Sequence, residues 1–176
     1  MPRHILTLTL ILPLPLPLTI ALALSLSPTL TLTLTLTLTL TSGLLALGDC
    51  AFAGAVELVE LTLPASLEAI GDAAFQGCCS LLELTLPSTV KTIGEGAFQG
   101  CSSLTKLALP PGVTSIGHVV CYGCESLVEL TLPAALHTIG DAAFFSCASL
   151  SKINLPPTLT AVGESAFRVG LGLGLG

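Results

Sequence analysis

The chain has 176 residues, 52% of them hydrophobic, 9% charged and 4% aromatic, with a formal net charge of −6. That length suits one domain with a sizeable core. The charge argues against a nucleic-acid partner, because Lys91, Lys106, Lys152 and Arg168 are too few and too scattered to replace phosphate counterions.

Residues 1–46 form a low-complexity apolar segment in which Arg3 is the one permanently charged side chain. Three readings of residues 5–47 stand side by side. A targeting segment is suggested by Arg3 and His4, the short apolar stretch Ile5–Leu12 and the small-residue site Ala21-Leu22-Ala23. Pro13, Pro15 and Pro17 oppose it by interrupting the helix such a segment forms. A membrane span is suggested by the uncharged stretch Thr29–Leu47, yet the Thr/Leu alternation from Thr29 to Thr41 has the period of a strand. The third reading is repetitive sequence with no selected role, in keeping with the Gly/Leu tail of residues 169–176. A targeting signal would place the protein at the cell surface or outside the cell; without one it would be cytoplasmic. Membrane association through residues 5–47 stays open.

From Leu47 to Arg168 the chain repeats. Segments ending in Leu-Pro close at Pro64, Pro87, Pro110, Pro133 and Pro156, a step of 23 residues each time. Gly48, Gly71, Gly94, Gly117, Gly140 and Gly163 keep the same step. So do Phe52, Phe75, Phe98, Phe144 and Phe167, with Cys121 in the fourth place of that column, and Cys78, Cys101, Cys124 and Cys147. A fixed period of this length signals stacked supersecondary units. Leu84 and Leu86 alternate with Glu83 and Thr85, as a half-buried strand requires, and Pro87 stops that strand because it has no N–H to give. Gly94 and its counterparts are expected where the backbone takes a conformation a side chain disfavours. The following Asp or Glu is expected to cap a short helical turn at Ala-Phe. One repeat buries about eight apolar side chains, too few to offset ordering 23 residues, so only stacking stabilises it.

The core I-G-x-x-A-F-x-x-C-x-x-L fits residues 70–81, 93–104 and 139–150 at every fixed place. It resembles the BspA-type leucine-rich repeat, a family of surface and adhesion proteins. The resemblance implies a curved solenoid, mainly parallel β with short helical turns and a sheet on one face, whose usual role is to bind proteins.

Stacking places the outward strand residues in two stripes. Glu60, Glu83, Lys106, Glu129 and Lys152 form one; Thr62, Thr85, Ala108, Thr131 and Asn154 form the other. Their signs alternate except at Glu60/Glu83, which by itself favours the register. As a binding face for a protein partner they are polar and lack Tyr, Trp and Arg anchors. The column Asp49, Asp72, Glu95, His118, Asp141 and Glu164 carries carboxylates that calcium favours, but local capping accounts for each. Cys121 and Cys124 spell C-x-x-C, yet each fills a place in a repeat column, and no second pair stands at zinc spacing. The four-cysteine column reads as a buried ladder, and Cys79 as the most exposed thiol. His118 and Cys121 sit at i, i+3, but a cysteine in a core column points inward, and no catalytic motif accompanies it. No enzyme activity, metal or cofactor is expected. A spacer, or part of a longer array, is the alternative to a binding scaffold. The repeats fray after Phe167, so exposed ends are expected to self-associate.

Overall fold

The alternating Leu-x-Leu segments become parallel strands, because a 23-residue step returns each one beside its predecessor. The computed structural model describes residues 10–12, 36–40, 43–151 and 153–168. In chain order its strands are β1 (Leu10–Leu12), β2 (Leu36–Leu40), β3 (Ala46–Leu47), β4 (Leu58–Thr62), β5 (Ala69–Ile70), β6 (Thr92–Ile93), β7 (Lys106–Ala108), β8 (Ser115–Ile116), β9 (Glu129–Thr131), β10 (Thr138–Ile139) and β11 (Ala161–Val162).

Three seams of hydrogen bonds join successive coils. The first is the strand face. It runs β1-β2-β4, passes through the parallel bridges Glu60–Glu83 and Glu83–Lys106, and continues as β7-β9. The second lies at the residue pair preceding the conserved-step glycines, in the ladders β3-β5-β6 and β8-β10-β11. Sequence reading anticipated one sheet, and this second ladder is an addition to it.

The third seam replaces the expected helical turns. The amides of Cys50, Phe52 and Gly54 donate to the carbonyls of Asp72, Ala74 and Gln76 in the next coil, at 2.8, 2.7 and 2.7 Å. The amides between them, at Ala51, Ala53 and Ala55, bond three residues back at 3.3, 3.0 and 3.0 Å. Every second N–H is thus committed to a neighbouring coil. An α-helix needs all of them within its own segment, so the described residues form turns there and no helix.

That arrangement also corrects two local assignments. Gly71, Gly94, Gly117, Gly140 and Gly163 do not have positive φ; one left-handed column is Cys50, Ala73, Gly96, Val119, Ala142 and Ser165, two residues later, and a second is Gly54, Gly77, Gly100, Gly123 and Ser146. At Gly71, Gly94, Gly140 and Gly163 the glycine is instead required by close approach, whereas a Cβ on Gly117 would come no nearer than 3.3 Å, to Glu95 Cγ. A Cβ on Gly71 would stand 2.5 Å from Asp49 Oδ1, and one on Gly140 would stand 2.6 Å from the Gly117 carbonyl carbon. The acid after the glycine is not a local cap either. Asp49 Oδ1 accepts from the amide of Asp72 at 2.8 Å, Asp72 Oδ1 from Glu95 at 2.8 Å, and Asp141 Oδ1 from Glu164 at 2.7 Å. Each carboxylate satisfies a backbone donor one coil away.

The interior is wholly apolar among the described residues. Phe52, Phe75 and Phe98 stack with centroids 5.4 and 5.5 Å apart, and Phe144 on Phe167 at 5.2 Å. Leucines, isoleucines and the cysteine column fill the space between the seams. The core opens at the last described coil: Ile139 is 2% exposed, whereas Val162 in the same column is 48% exposed.

The N-terminal tract joins this architecture. β2 pairs with β4 so that Thr37, Leu38 and Thr39 are the partners of Glu60, Leu61 and Thr62, a step of 23 residues. Leu44 packs on the core, Leu47 is buried, and Ser66 Oγ accepts from Gly43 N–H at 3.1 Å while donating to Leu44 O at 2.9 Å. The parallel ladder therefore continues N-terminal to the Leu47 start read from the repeat. The other residues behind the targeting reading, the tail 169–176 and Lys152 lie outside the described residues.

Candidate functional site: the strand face

Proline sets the edge of this face. It ends each strand and opens a turn, with the amides of Leu67, Val90, Val113 and Leu136 donating to Pro64, Pro87, Pro110 and Pro133 carbonyls at 3.1 Å. Each strand consequently stops at the same place in its coil. Leu61, Leu84, Leu107 and Leu130 point into the core, and the residues flanking them point out.

Of the residues expected on the face, Glu60, Thr62, Glu83, Thr85, Lys106, Glu129 and Thr131 are exposed and brought together by the parallel register. Asn154 is exposed but outside any strand. The fifth strand expected at the segment closing at Pro156 is not formed by its described residues, and the one expected around Leu84 is reduced to the parallel bridges at Glu83. Lys106 Nζ lies 3.4 Å from Glu129 Oε2, with both side chains more than half exposed, so this pair contributes little to stability. Glu60 and Glu83 adjoin as like charges and have no ion-pair partner among the described residues.

A third stripe was missed. Leu58 is buried, Val59 only partly so and Glu60 is exposed, so two consecutive residues, Val59 and Glu60, leave the core before alternation begins. Strict period two would point Val59 inward with Leu61. Its column continues through Leu82, Thr105 and Val128, with Leu82 48% and Val128 56% exposed. The strand face is therefore less purely polar than its two outer stripes suggest. The register shift between β2 and β4 at Leu36/Thr37 falls at the same irregular step.

A separate outer stripe follows the third seam. Gln76 Nε2 donates to Gln99 Oε1 at 2.8 Å, Tyr122 stacks on Phe145 at 5.1 Å, and the Arg168 guanidinium stands 5.9 Å from the Phe145 ring. Its rings are stacked on one another, not splayed toward a ligand. The 23-residue column Gln76, Gln99, Tyr122, Phe145 and Arg168 was the available signal.

The remaining candidate chemistry is taken up by the fold. Cys78, Cys101, Cys124 and Cys147 are buried and donate to the carbonyls of Phe52, Phe75, Phe98 and Cys121 at 3.1–3.2 Å. Burial pushes the Cys78 and Cys147 thiols up to about 12 and raises that of Cys101. Cys121 is raised first by its hydrogen bond with Cys124 and then by burial. These thiols stay protonated, unsuited to nucleophilic or metal-binding work. Cys79 is exposed, as is Cys50. His118 Nδ1 accepts from the Asp141 amide at 3.2 Å, doing the work that an Asp does elsewhere in its column. Neither member of the His118/Cys121 pair is available to the other.

A family model described as "BspA type Leucine rich repeat region" matches residues 33–146 in six copies. Among solved structures, a leucine rich cell surface protein from Faecalibacterium prausnitzii A2-165 aligns with a TM-score of 0.72 and 29% identity, covering 77% of this chain and 36% of that one. The Leucine Rich Repeat protein of T. pallidum aligns with a TM-score of 0.51 and 31% identity over 65% of each chain. A leucine-rich repeat protein from Eubacterium ventriosum aligns with a TM-score of 0.52 and 27% identity, over 75% of this chain and 40% of that one. The chain thus spans less than two thirds of the length of each of these proteins. No curated protein sequence matches it. No helix among the described residues is long and apolar enough to cross a membrane.

Proposed function

Because the chain belongs to the BspA-type leucine-rich repeat family, we propose that this repeat scaffold binds a protein partner on its strand face, through Glu60, Thr62, Glu83, Thr85, Lys106, Glu129 and Thr131. The observation that carries the reading is the parallel register, which aligns these exposed side chains on one continuous surface. A surface held by backbone ladders and Leu packing keeps its shape while its outward residues vary, which suits recognition. The role requires no catalysis: the column cysteines Cys78, Cys101, Cys124 and Cys147 are buried, and the histidine in the acid column serves the backbone. We place the scaffold at a cell surface by likeness to the cell surface protein of Faecalibacterium prausnitzii.

Photo-crosslinking from Thr85 and, as a control on another side of the coil, from Lys91 tests this. Partners are expected to crosslink at Thr85 and not at Lys91, and the charge-reversed E83K/K106E/E129K chain is expected to lose them. Equal capture at both positions, or capture indifferent to charge reversal, would count for the spacer reading.

A further inference from the structure

Resting on that strand-face reading, the geometry points to the class of partner: a protein segment that presents basic side chains together with aliphatic ones. Two observations converge. The charged stripe carries Glu60, Glu83 and Glu129 against a single described base, Lys106, which already stands beside Glu129 at 3.4 Å. Glu60 and Glu83 are bridged neighbours with no ion-pair partner among the described residues, an arrangement that strands in a sheet normally disfavour. A cation placed between them relieves that repulsion.

The second observation is the apolar stripe directly beside them. Val59 adjoins Glu60, Leu82 adjoins Glu83 and Val128 adjoins Glu129, and Leu82 and Val128 expose about half of their surface. Lys and Arg pair a charged head with an aliphatic stem. A Lys or Arg whose head reaches Glu60 and Glu83 lays its stem over Val59 and Leu82. An acidic segment would meet like charge at three positions, and an uncharged one would leave the Glu60/Glu83 repulsion in place. Charge complementarity of this kind governs partner choice and encounter rate more than raw affinity. The site is expected to be selective, salt-sensitive and of modest strength.

Fluorescence anisotropy on the full chain tests this with two labelled 12-residue peptides, one of Lys, Leu and Ser and one with Glu replacing every Lys. The cationic peptide is expected to bind and the acidic one not to. E60Q/E83Q is expected to weaken the cationic peptide about tenfold. L82S/V128S, which alters only exposed side chains, is expected to weaken it about fivefold. E95Q/E164Q removes the same charge away from the strand face and is expected to change binding less than twofold. Equal losses in the two Glu-to-Gln pairs would overturn the proposal, since net charge alone would explain them. Partner crosslinking at Thr85 that E60Q/E83Q leaves intact would overturn the basic-partner chemistry while sparing the strand face. Absence of crosslinks at Thr85 would remove both.

Discussion

The third and fourth coils have the same backbone and different contents. From Gly94 the third reads Gly-Glu-Gly-Ala-Phe-Gln-Gly-Cys; from Gly117 the fourth reads Gly-His-Val-Val-Cys-Tyr-Gly-Cys. Five of eight residues change, yet the seam persists. Phe98 donates to Val120 O at 2.8 Å and Cys121 to Ala143 O at 2.7 Å, and Gly96 and Val119 take φ of 60° and 50°. The backbone ladder dictates the coil, and side chains comply with it. Val119 accepts a conformation that β-branched residues avoid. Val120, larger than the alanines of its column, is buried next to Cys121, smaller than the phenylalanines of its own. A size exchange of this kind conserves volume across the pair.

The largest expected effect on that comparison is alkaline. The folded thiols hold protons that the unfolded chain releases above its ordinary cysteine value of 9.0, whereas Cys78 and Cys147 release theirs at about 12 when folded. The folded state therefore binds more protons between these values. Stability is complete below pH 9 and falls as pH rises toward 12, by about 1.4 kcal/mol per pH unit for each such thiol. Thermal melts from pH 8 to 11 should show a steep decline. The exchange V120A/C121F, which gives the fourth coil the third coil's core, should remove one thiol's share of that slope. An unchanged slope would mean that Cys121 does not hold its proton through its hydrogen bond with Cys124 and its burial.

Next in size is the step glycine that packs on the fourth coil. At Gly140 a methyl group would meet Gly117 backbone, which has no side chain to swing aside. Gly140→Ala should cost about 3 kcal/mol by chemical denaturation, a size typical of severe overpacking. The left-handed column should give the smallest effects, with opposite signs in the two coils. Gly96→Ala should cost about 1 kcal/mol and Val119→Gly should gain about 1 kcal/mol. If both destabilise, side-chain packing and not the ladder sets the fourth coil's shape.

The period of 23 made the solenoid legible, because Leu, Phe, Cys and Gly columns each encode one buried or close-packed position. The outward residues Glu60 to Thr131 were equally legible from alternation. What was not legible depended on atoms one coil away. The acid column looked like a series of local caps because Asp49's true partner is the amide of Asp72, 23 residues on. The glycine column looked conformational because the backbone it approaches belongs to the preceding coil. The two-residue strands β5 and β10 are too short to leave a periodic trace. Val59 was lost to strict alternation, and the Thr/Leu tract of β2 to its lack of a closing proline at Thr41.

The seams have a consequence for heredity. Side-chain hydrogen bonds between coils span 21 to 26 residues, so each coil answers only to the one before and the one after. A gene that gains or loses 23 codons in phase leaves two surfaces that still fit, with Gly against Asp and Leu against Leu across the new joint. The number of coils is then a matter of copying, free to drift by whole units, while a shift of one or two codons would disturb the seams at the joint where it falls.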